Sequence, residues 1–327
     1  MLTLTFLGTS AGVPTRQRNV SGLAVQTRSG PDWFLVDVGE GTQHRLQRAG
    51  LSLNDLAAIC ITHVHGDHCY GLPGLLASAG MSGRKRPLTL IAPQPVKEWL
   101  AATQGLTDLH LPYAVHHIDV VNVPAGRPVW DQAGVRIEAH PLRHRVPSHA
   151  YSVQFETRRI RLHADALRAL SLPPGPLWHA LQSGEDVAFE GRTLRSTEFA
   201  DHVTQRVRAV IGGDNAEPAL LREACAGAQV LVHEATYTQA VSDKVGPGPM
   251  HSTAGQVAAF AQSVGLPNLV LTHFSARYHH AAGLAELEAE ARAAYGGALW
   301  MANDLDVFEL DADGVLGRGA AVPRERR

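Results

Sequence analysis

The chain has 327 residues, 45% of them hydrophobic, enough to bury a large core as one big domain or as one domain with an appendage. A formal net charge of −2 excludes a globally basic nucleic-acid binder, so any RNA contact must be local. No apolar run is long enough to span a bilayer, and Cys60, Cys69 and Cys225 follow no disulfide spacing, which suits a reducing cytoplasm.

The N-terminus has no basic flank and reads as a first strand, not a signal peptide. Apolar runs rich in Val, Ile and Leu predict strands at 2–8, 33–38, 57–62, 88–92 and 135–141. After a gap, further strands are predicted at 207–212, 230–233, 269–272 and 298–302. Helical patterns fall at 41–49, 73–78, 96–104, 217–225, 253–264 and 284–295, and Ser252 or Thr253 can cap its helix. Strand-then-helix succession predicts an α/β layered protein. Residues 156–205 break the rhythm with Pro173-Pro174-Gly175-Pro176 and with Arg158, Arg159, Arg161, Arg168, Arg192 and Arg195. They read as a helix, a turn and a weak hairpin in an inserted, protruding arm. The main body then covers 1–310, and 311–327, ending in Arg324-Glu325-Arg326-Arg327, reads as a disordered tail.

Histidine is the compositional outlier, with eighteen residues grouped in short clusters at strand ends. The sharpest cluster is His63-Val64-His65-Gly66-Asp67-His68, between a buried strand and a helix opened by Gly71-Leu72-Pro73. Borderline-soft divalent metals prefer imidazole nitrogen, with carboxylate oxygen as a charge-neutralising partner. On a tight loop, His63 and His65 point to one side while Asp67 and His68 turn to another, so one loop can serve two metals. Asp214 follows the strand at 207–212 and can bridge two cations; read structurally, it would cap a helix at 217. His273 ends another strand. His144 follows the strand at 135–141, with His140 and His149 as rivals; His140 lies inside the strand, so His144 ranks first.

These motifs, in this order, resemble the metallo-β-lactamase superfamily. Several runs resemble the ribonuclease Z family in particular: Phe6-Leu7-Gly8-Thr9-Ser10-Ala11-Gly12, Pro14-Thr15-Arg16-Gln17-Arg18-Asn19, Asp37-Val38-Gly39-Glu40-Gly41-Thr42-Gln43, His233-Glu234-Ala235-Thr236, His251-Ser252-Thr253 and Thr272-His273-Phe274-Ser275-Ala276-Arg277-Tyr278. The resemblance implies a metallo-β-lactamase fold, a four-layer αβ/βα sandwich with an inserted arm. It implies two divalent metal ions, Zn2+ or else Mn2+, with His63, His65 and His144 on one, Asp67, His68 and His273 on the other, and Asp214 bridging. The expected activity is removal of the 3′ trailer from precursor tRNA, leaving a 3′-hydroxyl on the tRNA and a 5′-phosphate on the trailer. The expected assembly is a cytoplasmic homodimer, the arm of one subunit gripping the tRNA that the other cuts. In this family Glu234 with His251 would protonate the leaving oxygen, and Asp67 has been cast as general base. Where the family has Thr after the bridging Asp, this chain has Asn215, and where it has Gly-Tyr after the separate His, this chain has Ala150-Tyr151.

Asp37 is expected to accept a hydrogen bond from a metal-binding His and so set its tautomer. For RNA, Arg16, Arg18 and Asn19 on the first loop, the cluster Arg84-Lys85-Arg86 and the arm arginines are expected to contact phosphates, which gives affinity without sequence reading. Arg277 and Tyr278 are expected to receive the acceptor end, Tyr278 by stacking. The rival expectation is a dinuclear hydrolase of the same superfamily acting on small phosphodiesters, sulfate esters or lactones, which would need neither the arm nor the 15–19 loop.

Overall fold

Polar residues far apart in the chain become neighbours here because two mixed sheets end at a common edge. The computed structural model describes residues 1–27, 30–124 and 126–320, with the side chains at 158, 159 and 202 outside that description. It divides into two compact units, Met1–Phe155 with Val207–Arg327, and Glu156–Arg206.

Among the described residues of the first unit, one sheet has eight strands. In spatial order they are Leu316–Arg318, Val307–Leu310, Leu2–Gly8, Gly22–Thr27, Trp33–Val36, Leu56–Cys60, Leu88–Ala92 and Val115–Asp119. The last four run parallel and the others antiparallel. The second sheet has seven, in the order Ala298–Met301, Asn268–Thr272, Val230–Glu234, Ala200–Ile211, Ser148–Leu162, Val135–Leu142 and Trp130–Gln132, its first four parallel.

Side chains alternate across each strand, and the alternation builds the layers. In Val230–Glu234, Val230 and Val232 join the core between the sheets, while Leu231 joins the core under the helices. The inter-sheet core takes Leu4, Phe6, Val25 and Phe34 from one sheet and Tyr151, Val153, Ala209 and Val232 from the other. Helices Leu72–Met81 and Gln94–Thr107 cover the first sheet through Leu75, Leu76 and Val96. Helices Ala254–Ser263 and Ala281–Ala294 cover the second through Val257, Phe260 and Leu287. The first unit is therefore the expected four-layer αβ/βα sandwich. Each fully buried Leu, Val or Phe stabilises it by about 1.5–3 kcal/mol relative to exposure.

Three expectations need correction. The segment at 217–225 is not an α-helix but a 3-10 helix, Pro218–Leu221, followed by turns. Its buried residues Pro218, Leu221 and Ala224 recur every three positions, the period of the tighter coil. The 311–327 segment does not begin as a disordered tail: Leu316–Arg318 pairs with Val307–Leu310, because buried Leu316 completes the inter-sheet core. Arg324-Glu325-Arg326-Arg327 lie outside the described residues. Strands also form at Gly22–Thr27, Val115–Asp119 and Val307–Leu310, where polar residues interrupt the apolar runs that reveal a strand in sequence.

The second unit holds helices Ala164–Ala169 and Pro176–Gln182 and the hairpin Val187–Phe189 with Arg192–Leu194. Leu167, Leu172, Leu181, Val187 and Leu194 give it a small core of its own. Arg161 pairs with Asp201, and Arg168 pairs with Asp165 while lying over Trp178. Arg192 and Arg195 are exposed. The side chains of Arg158 and Arg159 lie outside the described residues.

Of the two candidate caps for helix Ala254–Ser263, Thr253 is the one used: its hydroxyl accepts from Gln256 N, and the Gln256 side chain accepts from Thr253 N. Ser252 instead donates to Asn215 O. Thr253→Ala should therefore lower stability by about 1 kcal/mol in denaturant unfolding, and Thr253→Ser should restore most of the loss.

Candidate metal centre

Parallel strands deliver polar residues to one edge because their carboxyl ends point the same way, the usual place for a site in such sheets. Asp37 follows Trp33–Val36, His63 follows Leu56–Cys60, Asp214 follows Ala200–Ile211, and His273 follows Asn268–Thr272. His144 comes from the turn between the antiparallel strands Val135–Leu142 and Ser148–Leu162. Arg143 N donates to Asn215 Oδ1 and Ala216 N to Arg143 O, tying that turn to the Asp214 segment. Asn215 thus positions the turn. Gly39 lets two segments close on each other: a Cβ there would lie 2.4 Å from Asp67 O. Asp37, Met250 and His273 take left-handed backbone conformations, with φ of 61°, 58° and 56°. Non-glycine residues seldom do so, and such positions gather at functional sites.

Two half-sites result. In the first, His65 Nδ1 lies 3.1 Å from His63 Nε2 and 3.2 Å from His144 Nε2. In the second, His68 Nε2 lies 3.2 Å from His273 Nε2, which is 3.4 Å from Asp67 Oδ2. Asp214 stands between them. Its Oδ2 is 3.6 Å from His63 Nε2 and 3.7 Å from His144 Nε2, and its Oδ1 is 3.3 Å from both His68 Nε2 and His273 Nε2. His140 lies elsewhere, bonded to Ser152 Oγ, and His149 is absent from the cluster. Geometry therefore selects His144 from the three rivals.

The outer ring atoms settle which nitrogen is free. His68 Nδ1 donates to Asp37 Oδ2 at 2.7 Å, as expected of Asp37, and His144 Nδ1 donates to Met250 O at 3.0 Å. Thr62 Oγ1 donates to Asp37, so it accepts from His63 Nδ1. Thr236 Oγ1 donates to Glu234 and accepts from His273 Nδ1 at 3.0 Å. Each Nε2 is thereby left to point inward. Burial and neighbouring imidazoles hold His63 well below its usual pKa and lower His65; burial also lowers His144. The first half-site is then three neutral imidazoles with their lone pairs converging, which repel one another unless a cation stands between them.

Burial opposes the charged form of His68, but Asp214, Asp67 and Asp37 together raise its pKa well above normal. A field that holds a proton there also suits a cation. Asp214 Oδ1 is fully buried and accepts no well-aligned hydrogen bond, although two imidazoles lie 3.3 Å away. This donor set fits divalent metal ions, with nitrogen and carboxylate ligands in two groups, Asp214 belonging to the first and lying 3.3 Å from His68 and His273 of the second.

Beside the cluster, His251 Nδ1 lies 3.1 Å from Glu234 Oε1. Burial disfavours its charge, but the Glu234 carboxylate outweighs that and raises its pKa to about 9. Glu234 is itself fixed by Asn215 N and Thr236 N. The expected pair of Glu234 and His251 is thus brought together. His233, beside them in sequence, is buried and bonded to Glu234 O.

The expected RNA contacts divide. Arg16 and Arg277 are exposed, and the Arg277 guanidinium lies over the Tyr237 ring. Arg18 is a correction: it is 5% exposed, and its guanidinium donates to Thr9 Oγ1, Ala302 O and Asn303 Oδ1, so it holds protein, not phosphate. Tyr278 is a second correction: it is 4% exposed, and its hydroxyl is bonded to Thr238. Asn19 is partly buried, with its backbone N donating to Asp304. In the 84–86 cluster, Arg84 is buried and donates to Leu53 O, Arg86 O and Pro87 O, while Arg86 makes a two-pronged pair with Asp32. Sequence reasoning missed Tyr237, whose ring meets the His251 ring edge-on at 5.9 Å. It directly follows the His233–Thr236 run, and that adjacency was the available signal. The Gly12 N–H donated to Asp67 Oδ2 at 2.7 Å was also missed; a backbone donor leaves no trace in residue type.

The family model described as Anti-Pycsar protein Apyc1 matches residues 2–172. A ribonuclease Z of Marinobacter nauticus is 48% identical over 94% of this chain and 96% of its own length. Among solved structures, the short form of human tRNase Z aligns with a TM-score of 0.63 at 25% identity, covering 94% of this chain and 99% of that one. The metallo-β-lactamase fold protein YhfI of Bacillus subtilis aligns at 0.64 and 17% identity, covering 94% and 100%, a likeness of fold. Over residues 2–172 the chain thus belongs to the family described as Anti-Pycsar protein Apyc1, and over nearly its full length it belongs to the ribonuclease Z family.

Proposed function

We propose that the two half-sites hold two divalent cations, Zn2+ in preference to Mn2+, and that the chain with them removes the 3′ trailer from precursor tRNA. Membership of the ribonuclease Z family makes the chain a phosphodiester-hydrolysing endoribonuclease of tRNA 3′ processing. The observation that carries the dinuclear reading is Asp214, whose two oxygens each face a different group of inward-turned ligand atoms. Imidazole-rich ligation favours zinc over harder ions. Bound cations supply water at a pKa of about 7 as nucleophile and neutralise charge on the phosphoryl oxygens.

The chain's own groups do the rest. Glu234 holds the His251 imidazole by Nδ1 and keeps it protonated, leaving Nε2–H to donate to the departing ribose 3′-oxygen. The products are a 3′-hydroxyl on the tRNA and a 5′-phosphate on the trailer. Burial would favour a neutral Asp67, yet His68 and His273 hold it ionised, well below the usual carboxylate range, and Gly12 N–H fixes its Oδ2. An ionised, oriented carboxylate suits a cation ligand, while so low a proton affinity limits Asp67 as a general base. Arg16, exposed on the loop after Ser10–Ala11, Arg277, exposed on the 3-10 helix Ala276–Tyr278, and Arg192 and Arg195 of the second unit supply phosphate contacts. The Arg277 guanidinium stacked on the Tyr237 ring offers a planar cationic surface to an unpaired base.

The reading includes a homodimer, testable by light scattering of the purified chain. It also includes a reducing cytoplasm, which suits buried, unpaired Cys60, Cys69 and Cys225. Among the described residues, no helix is long and apolar enough to cross a membrane.

The deciding experiment incubates metal-loaded protein with a 3′-extended tRNA transcript and maps the cut; a cut at the trailer junction that a chelator abolishes supports the reading, and undiminished cutting by metal-stripped protein refutes it. His65→Ala and Asp214→Ala should each reduce cleavage to background in the same assay. His251→Ala should slow the single-turnover rate about 100-fold or more at unchanged tRNA affinity, the usual scale of general acid catalysis. Replacing residues 156–206 with a short glycine-serine linker should leave bis(p-nitrophenyl) phosphate hydrolysis near wild type and abolish tRNA cleavage. Retained tRNA cleavage would assign that unit no part in substrate binding.

A further inference from the structure

We infer that Asp304 is a positioning residue for one half-site only: it pins the loop 9–19, and that loop aligns Asp67 and His273. The inference rests on the dinuclear reading above.

Asp304 closes the base of the loop. Thr9 Oγ1 donates to its Oδ1 at 2.8 Å, and Asn19 N donates to its Oδ2 at 2.6 Å, so the first and last residues of the loop meet on one carboxylate. Arg45 lies 3.2 Å from Oδ2, and the Asp304 side chain is only 5% exposed. Arg18 reinforces the closure by donating from within the loop to Thr9 Oγ1 and to Ala302 O. From this base the loop makes two contacts with the second half-site. Gly12 N donates to Asp67 Oδ2 at 2.7 Å. Thr9 O accepts from Phe274 N at 2.9 Å, and Ser10–Ala11 pairs parallel with Phe274–Ser275, directly after His273 in its left-handed conformation. Among the described residues, no hydrogen bond runs from the loop to His63, His65 or His144. The burden of alignment therefore falls on one half-site.

The chemistry at position 304 is specific. Three donors, a hydroxyl, a backbone N–H and a guanidinium, converge on two acceptor oxygens. Asparagine keeps the shape but loses the charge and one acceptor oxygen, so Asp304→Asn weakens the combined hold on Thr9, Asn19 and Arg45. The loop base, then held by Thr9 N and Ser10 N on Asn19 O, is less firmly fixed, so Gly12 N–H is held less firmly against Asp67, and such outer partners govern metal affinity.

The test is Zn2+ titration of the metal-free, full-length protein in competition with a chelator of known affinity. Thermal unfolding of each variant confirms that it is folded. Wild type should take two ions per chain. Asp304→Asn should weaken one binding step about 10- to 100-fold and leave the other within about twofold, the scale of lost outer partners. Combined with His65→Ala, which leaves the second half-site, Asp304→Asn should weaken the remaining step; combined with His273→Ala, which leaves the first, it should not. Thr9→Val, which cuts the bond at the other oxygen, should weaken the same step as Asp304→Asn. Equal weakening of both steps, or no change in either, overturns the inference. A wild-type chain that takes fewer than two ions refutes the dinuclear reading itself, and is distinguishable because it precedes any variant.

Discussion

Asp214 is a buried carboxylate set between imidazoles whose other nitrogens are already engaged, and most of the structure can be traced to that arrangement. His63, His68, His144 and His273 each turn Nδ1 outward to Thr62, Asp37, Met250 O or Thr236, so their Nε2 atoms face the same small space. Unpaired polar atoms in a dry interior are costly, and a lone carboxylate more so. Asp214 Oδ1 tolerates such a position only because a positive charge belongs beside it. Folding and occupancy are then linked, since whatever binds the assembled cluster and not the unfolded chain stabilises the fold.

The sandwich makes this tolerable. Its inter-sheet core runs from Leu2 and Phe308 to Val270, and helices cover both outer faces. That burial is large enough to hold Asp37 and His273 in left-handed conformations, each a strain of about 1–3 kcal/mol. The strain lies where strands end, and there it turns side chains across the edge. Outer partners come from separate strands: Asp37 steadies His68 of the next strand's loop, and Thr236 steadies His273. A shift of one strand would misalign ligands on another.

Charge is arranged on the same principle of local use. A net charge of −2 gives no long-range attraction to RNA. Several arginines serve as internal struts. Arg18 crosses from the first loop to the 302–303 segment, and Arg84 gathers four carbonyls beside Tyr113. The planar guanidinium suits that role, with five donors and a face that stacks. Those left for phosphate are fewer than composition suggests, with Arg16 and Arg277 in the first unit and Arg192 and Arg195 in the second among them.

Much of the fold and most of the metal cluster were legible in the residues themselves. Apolar runs such as those that open the strands read at 88–92 and 230–233 announce strands because burial on both faces demands them. Edge strands such as Val115–Asp119, with two histidines, do not, since a half-exposed edge accepts polar residues. His63, His65, Asp67 and His68 could be read together because one short loop carries them and their chemistry is local to it. Asp214 and His273 were legible because each ends a strand. The residues could only rank His144 ahead of His140 and His149; which ring reaches His65 across the sheets is decided by the folded chain. Only the folded chain could retire Arg18 and Tyr278 as RNA contacts and bring Tyr237 forward. Residue type determines what a side chain can bond to. Which partner it meets, and whether water still reaches it, depends on segments hundreds of residues away.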